Sequence, residues 1–203
     1  LGAVSDRVSK KVRAQYEENP YPRWIKPQIF KGKSLADFCN DTELKLYSEN
    51  IKDETAPKIL IAGCGTGQHS IQTASQFYGC KVTAIDLSLA SLAYAKRKTA
   101  ETKLTNLLYM QADILNLADL GKEFDIIESV GVLHHMSEPM AGWSVLTKIL
   151  KPGGLMRIGL YSELARQHIK EIRREIKSLG VGKCDTDMRQ FRQSIITSEK
   201  KSH

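Results

Sequence analysis

The stretch Lys58-Ile59-Leu60-Ile61-Ala62-Gly63-Cys64-Gly65-Thr66-Gly67-Gln68-His69-Ser70 constrains this chain more than any other. An apolar run of strand character ends in three glycines at alternate positions, and a helical pattern follows. Glycine permits backbone angles and close approaches that a Cβ forbids. A strand that turns sharply into a helix leaves the first N–H groups of that helix unpaired, at the positive end of its dipole. Such a turn can receive a ligand. A dinucleotide fingerprint reads G-x-G-x-x-G. Here Gln68 stands where the third glycine of that form would be, and no Gly-Lys-Ser/Thr follows to make a phosphate loop.

More short strands follow. Lys81-Val82-Thr83-Ala84-Ile85-Asp86 is apolar and ends in a carboxylate. Asp86 lies roughly 20 residues beyond the last loop glycine, the distance at which such folds place an acid against ribose hydroxyls. Leu107–Gln111 leads into Ala112-Asp113-Ile114. Phe124-Asp125-Ile126-Ile127-Glu128-Ser129 leads into Val130-Gly131-Val132-Leu133-His134-His135. Leu150-Lys151-Pro152-Gly153-Gly154-Leu155 opens a fifth strand that runs to Leu160. Strands alternating with helical patterns, over about residues 68–77, 89–102 and 139–150, predict a parallel sheet covered on both faces. The fold class is α/β, doubly wound and mainly parallel.

The series GCGTG, strand-end Asp, QAD, FDIIES-V-GVLHH and LKPGGL resembles the class I S-adenosylmethionine-dependent methyltransferases. The resemblance covers about residues 57–161, with every motif in family order. Tyr16 to Trp24 is similar to a segment preceding such domains in bacterial proteins fused to tetratricopeptide repeats. The resemblance implies S-adenosylmethionine as cofactor and S-adenosylhomocysteine as product. It implies that Gly63, Cys64, Gly65, Gly67 and Gln68, with Ser129 and Val130, hold the amino acid end. Asp86 would accept the ribose diol. Asp113 and the Ile114 N–H would meet the adenine, with Leu87 and Leu115 about the ring. The competing reading for Asp86 is a helix cap, and for Asp113 a loop residue.

His134 and His135 follow the fourth strand, where the resembled family places acceptor-side residues. His134 is the candidate general base, or an acceptor contact with no proton role. The pair lacks the third ligand of a zinc site, so no metal is expected.

Residues 1–56 are expected to form two helices, over 4–18 and about 34–50, joined by an aromatic segment. Val8, Val12 and Tyr16 are spaced four apart, and Asn19-Pro20-Tyr21-Pro22 stops the first helix. The aromatic segment is either an arm pinned by its buried rings or a lid, with Tyr16, Tyr21 and Trp24 lining the acceptor side. Residues 162–203 read as a basic tail, with an amphipathic helix over 162–179. The family's last two strands are not found. Phe191–Thr197 is the one candidate, so the sheet is expected to end at the fifth strand. Its free edge is a liability that a neighbouring domain or subunit would cover.

Charge excludes little. Net charge is +7, yet residues 1–57 carry 10 basic and 9 acidic side chains and residues 58–156 carry 9 and 8. Residues 157–203 carry 11 and 6, so the surplus belongs to the tail. It gives the core no clear nucleic-acid signal. No apolar run approaches the ~20 residues of a membrane span. Cys39, Cys64, Cys80 and Cys184 form no C-x-x-C pair and fit reduced thiols, hence a cytoplasmic protein. The chain begins at Leu1 and reads as an excised fragment. Three functions are carried forward: methyl transfer to an unidentified acceptor; a catalytically silent methyltransferase-like scaffold in a larger repeat protein; and an NAD-dependent oxidoreductase, which Gln68 and LKPGGL disfavour.

Overall fold

The computed structural model describes residues 4–46, 49–182 and 184–197. They fall into two compact units that part between Leu160 and Tyr161. Among the described residues, no helix is long and apolar enough to cross a membrane.

The first unit is built on five parallel strands: β1 (Lys58–Ala62), β2 (Lys81–Asp86), β3 (Leu107–Gln111), β4 (Phe124–Val130) and β5 (Leu150–Gly159). Their order is β3-β2-β1-β4-β5. The order reverses beside β1, whose neighbours are β2 and β4. In such sheets, ligands sit where the order reverses, outside the carboxyl ends of the strands. That is where the glycine turn lies.

Strand periodicity sorts the apolar residues onto two faces. Ile59, Ile61, Val82, Ala84 and Ile126 meet one layer, which includes Ala74, Phe77 and Leu92. Those three come from the helices α3 (Gln68–Gln76) and α4 (Leu89–Thr102) and the residue closing α3. Leu60, Ala62, Ile85 and Ile127 meet the other, with Leu117 of a 3₁₀ turn and Leu146 of α5 (Pro139–Lys148). Ile59, Leu60, Ile61 and Ile127 are all within 1% of complete burial, as a central pair covered on both sides requires.

The fifth strand enters through a bulge. Leu150 pairs with Phe124 and Leu155 with Ile126, so Lys151–Gly154 loops out opposite the single residue Asp125. Among the described residues no sixth or seventh strand occurs, and β5 forms one edge of the sheet.

The N-terminal segment belongs to this unit. Helix α1 (Arg7–Glu18) is capped by Asp6, whose carboxylate accepts from the Val8 and Ser9 N–H groups. The expected second helix is shorter than its sequence pattern. Helix α2 (Leu35–Asp41) stops where Glu43 takes a left-handed φ of 51°, and a separate 3₁₀ turn spans Glu49–Asp53. Part of the expected span, Tyr47 and Ser48, lies outside the described residues.

The second unit contains α6 (Gln167–Ser178) and α7 (Asp185–Thr197). The candidate strand at Phe191–Thr197 is helix instead. Met188, Phe191 and Ile195 recur at three and four residues, a helical interval that a short apolar cluster disguises. Helix α6 begins five residues later than its amphipathic pattern and buries no residue fully.

Candidate functional site

The glycine turn is folded back on the chain itself. The N–H groups of Gly63 and Cys64 both donate to the Ile85 carbonyl, at 2.9 and 2.8 Å. Gly65 N–H donates to Asp86 Oδ2 at 2.7 Å. Thr66 N–H donates to the Tyr21 carbonyl at 3.2 Å, and Gly67 N–H to the Cys64 carbonyl at 3.0 Å. All five donors of the loop are therefore spent. What the turn offers a ligand is its carbonyl oxygens and the first N–H groups of α3, where Gly67 provides no side-chain cap.

Two glycines show why the turn has this composition. Gly65 has φ +54°, and a Cβ there would run into the Tyr21 carbonyl oxygen. Gly67 has φ +85°, and a Cβ there would strike Ala95 of α4. Any other residue would push the N-terminal arm or α4 away from the loop. Cys64 contributes backbone here. Its thiol is buried, and burial, with the nearby charge of Asp86, pushes its pKa well above 9.0.

Asp86 ends β2 beside this loop. Its second oxygen accepts from Ser88 N–H at 2.9 Å. Burial raises its pKa above the usual 3.8, the Ser88, Gly65 and Leu87 N–H groups oppose the rise, and the charge of Glu17 adds to it. A carboxylate has about four acceptor positions, and these N–H groups do not use all of them, so acceptor capacity remains for a hydroxyl. The helix cap weighed against that role is Ser88, whose hydroxyl accepts from Ser91 N–H at 3.0 Å.

Asp113 is 4% exposed and opens the 3₁₀ turn Ile114–Leu120, accepting from Leu115 N–H at 3.1 Å. Ile114 beside it is buried. Leu87 is half-buried, and its carbonyl is held by Gln111 Nε2 at 2.8 Å. Gln68 begins α3. The Ser129 hydroxyl donates to the Ala62 carbonyl at 3.1 Å, tying the end of β4 to the strand before the loop. Val130 is 42% exposed at the end of β4, next to that loop's strand. These residues come together along one edge of the sheet.

His134 and His135 lie in a 3₁₀ turn, Leu133–His135, just after β4. Their rings are 4.3 Å apart. The Tyr16 ring stands edge-on to His135 at 6.3 Å, which brings Tyr16 to the histidine pair. Trp24 and Tyr21 are placed differently. The Trp24 indole is buried against the Tyr94 ring at 5.5 Å. Its N–H donates to the Thr66 hydroxyl at 2.9 Å. The Tyr94 hydroxyl donates to the Trp24 carbonyl. Tyr21 meets the glycine loop through its backbone, while its side chain is among the exposed ones at 64%.

Two contributors were missed in the sequence. Thr66 donates from its hydroxyl to the Pro22 carbonyl at 2.6 Å, so it binds the arm from both its backbone and its side chain. Glu17 accepts from the Leu89 and Ala90 N–H groups, each at 2.9 Å. Thr66 stood inside the glycine motif. Nothing local marked Glu17, whose partners lie more than 70 residues away.

Behind the loop, Glu128 is a buried carboxylate. It accepts from the Thr73 hydroxyl at 2.8 Å and lies 3.0 Å from His69 Nε2. Burial pushes its pKa up, but His69, Thr73 and Arg157 outweigh this, and the net shift is below 4.5.

Residues 59–154 match the family described as Methyltransferase domain. An uncharacterized protein of Synechococcus sp. is 31% identical over 194 residues, covering 88% of this chain and 43% of that protein. Malonyl-[acyl-carrier protein] O-methyltransferase of Paenibacillus sp. is 33% identical over 102 residues, covering 49% of this chain and 37% of that enzyme. The chain thus spans less than half the length of these two relatives. Among solved structures, PKMT2 from Rickettsia typhi in complex with AdoHcy superposes with a TM-score of 0.63 at 20% identity, covering 91% of this chain and 36% of that one. Residues 59–154 of this chain are thus a methyltransferase domain, with motifs and strand order similar to those of the class I S-adenosylmethionine-dependent methyltransferases.

Proposed function

We propose that this chain transfers a methyl group from S-adenosylmethionine to an acceptor and releases S-adenosylhomocysteine. The observation that carries the reading is the placement of Asp86: a half-buried carboxylate at the end of β2, bonded to the glycine turn, with acceptor capacity to spare. Neutral ribose hydroxyls suit a carboxylate there, and a 2′-phosphate does not. The Paenibacillus relative is named for methyl transfer to oxygen, which supports the reaction class.

The residues fit the cofactor. Bound there, it supplies a methyl carbon on a sulfonium, a leaving group that needs no further activation. The chain's part is orientation. Asp86 holds the ribose end. Asp113 and Ile114 N–H hold the adenine, with Leu87 against the ring. The turn Gly63–Gly67, the start of α3 at Gln68, and Ser129–Val130 hold the amino acid end. Fixing the methyl group on the side of His134 and His135 is worth several kcal/mol of the barrier. In this reading His134 accepts a proton from an acceptor that needs deprotonation. Tyr16, Tyr21 and Trp24 belong to the acceptor side in this reading. Tyr16 does so by its ring beside His135, and the other two by setting the course of the arm.

In the sheet of the first unit β5 is the last strand among the described residues, which supports a neighbouring domain or subunit as a partner for its edge. The free, buried thiols of Cys39, Cys64 and Cys80 support a reducing, cytoplasmic setting. Calorimetric titration with S-adenosylhomocysteine tests the reading. Micromolar binding is expected. A folded chain that gives no heat of binding overturns it.

A further inference from the structure

We propose that Glu17 is a positioning residue that fixes the cofactor half of the site to its acceptor half. The inference rests on the methyltransferase reading above.

Helix α4 already has a local cap, because the Ser88 hydroxyl accepts from Ser91 N–H. Its first two N–H groups, Leu89 and Ala90, remain. Both donate to the Glu17 carboxylate at 2.9 Å, at the positive end of the helix dipole. Arg13, one turn back on α1, lies 3.6 Å from the same carboxylate. The Ser88 hydroxyl also donates to the Tyr16 carbonyl at 3.0 Å. Thus residues 86–90 serve two purposes. Asp86 faces the glycine turn, and Ser88 to Ala90 receive the end of α1.

Tyr16, the neighbour of Glu17, reaches the other way. Its ring is edge-on to His135, which is tilted against His134. The last turn of α1 therefore touches the ribose side through Glu17 and the acceptor side through Tyr16.

Apolar packing is only part of this docking: Val8, Val12 and Tyr16 are partly buried. Only Ser9 of α1 is buried, and no α1 residue belongs to either core cluster. Beside the partly buried face at Val8, Val12 and Tyr16, the helix is held by these polar contacts. Such contacts place a helix more than they stabilise a fold.

The test compares the wild-type chain with Glu17→Ala and Glu17→Gln. S-adenosylhomocysteine affinity is read by calorimetry, the histidine ring signals by NMR with and without that ligand, and the melting temperature by thermal scanning. In the wild type, the ligand should bind and shift the His135 signals. In Glu17→Ala, affinity should fall about tenfold, as for loss of a charged acceptor, and the His135 response should vanish. The melting temperature should fall by no more than a few degrees, as for the loss of a helix-cap contact. Glu17→Gln keeps one acceptor oxygen and should fall between the two. A Glu17→Ala chain that binds normally and keeps the His135 response overturns the proposal. So does one whose melting temperature drops in step with affinity, since Glu17 is then a stabilising contact only. A folded wild type that does not bind the ligand overturns the methyltransferase reading instead.

Discussion

The Trp24 indole donates its N–H to the Thr66 hydroxyl at 2.9 Å, and that hydroxyl donates onward to the Pro22 carbonyl at 2.6 Å. One side chain of the glycine turn thus holds both ends of a three-residue segment of the N-terminal arm. The arm is pinned by a ring, and the pin is fastened to the site itself. Trp24→Phe keeps much of the ring against Tyr94 and removes the donor. Losing a buried hydrogen bond of this kind costs about 1 kcal/mol. A melting temperature a few degrees lower is expected, with weaker S-adenosylhomocysteine binding because Thr66 loses a partner. Thermal scanning and calorimetry check both. An unchanged affinity would show that the arm braces the fold without reaching the cofactor.

Asp86 carries a second prediction, with a direction in pH. In the proposed reading its charged form accepts the ribose hydroxyls, and protonation would remove that capacity. Because burial raises its pKa, binding should weaken as pH falls, beginning above the range of an ordinary aspartate at 3.8. Asp86→Ala should lower affinity at least tenfold, or about 1.4 kcal/mol. Asp86→Asn should bind weakly and lose that acid-range dependence. Calorimetric titrations at several pH values check this. A variant with wild-type affinity would remove Asp86 from the ribose site.

Glu128 and His69 tie α3 to β4. The folded pKa of Glu128 lies below its ordinary 4.5, so the native state holds that proton less tightly than the unfolded chain does. The stability it contributes is present above about 4.5 and is lost as pH falls through the lower, folded value. Breaking one side of a buried charged network costs about 3–5 kcal/mol, less where solvent reaches it. Glu128→Ala should therefore unfold at clearly lower denaturant near neutral pH. The gap to wild type should close in acid. Urea titrations at pH 7 and in the acid range check it, and a gap that persists in acid would locate the loss in packing instead.

The parts legible in the sequence are those with a local physical cause. Apolar runs with turn residues at their ends gave β1 to β4, and the Ser88 cap with an Ala/Leu/Lys pattern gave α4 from Leu89 to Thr102. The positions of Asp86 and Asp113 just at or after strand ends were legible because the strands before them mark those ends. The rest depends on distance along the chain. Trp24 meets Thr66 across 42 residues, and Glu17 meets Leu89 across 72. Neither pairing leaves a local pattern. The span about 34–50 read as one helix on a less regular apolar face, Leu35, Phe38, Leu44, Leu46 and Tyr47, and the left-handed turn at Glu43 carries no glycine to announce it.

The bulge that opens β5 places Lys151 opposite Asp125. The Lys151 ammonium lies 2.5 Å from Asp125 Oδ1, while Oδ2 accepts from the Lys58 N–H at 2.8 Å. One buried carboxylate therefore holds the first residue of β1 and the entry of β5 against the start of β4. The hydrogen bond to Asp125 raises the Lys151 pKa above 10.5, offset in part by desolvation, and the charges of Asp125, Glu54 and Glu123 raise it further. A lysine with a raised folded pKa contributes stability that is fully present below its unfolded value and is lost as pH rises through the folded one. Lys151→Met keeps the apolar stem and removes the charge, leaving Asp125 with one partner. Because the lysine is a third exposed, solvent relieves part of that cost, and about 1–3 kcal/mol is expected, below the full value for a buried pair. The loss should be complete at neutral pH and should shrink above pH 10.5. Denaturant midpoints at pH 7 and in the alkaline range check this. A Lys151→Met chain as stable as wild type at pH 7 would mean that the Lys58 N–H alone satisfies Asp125.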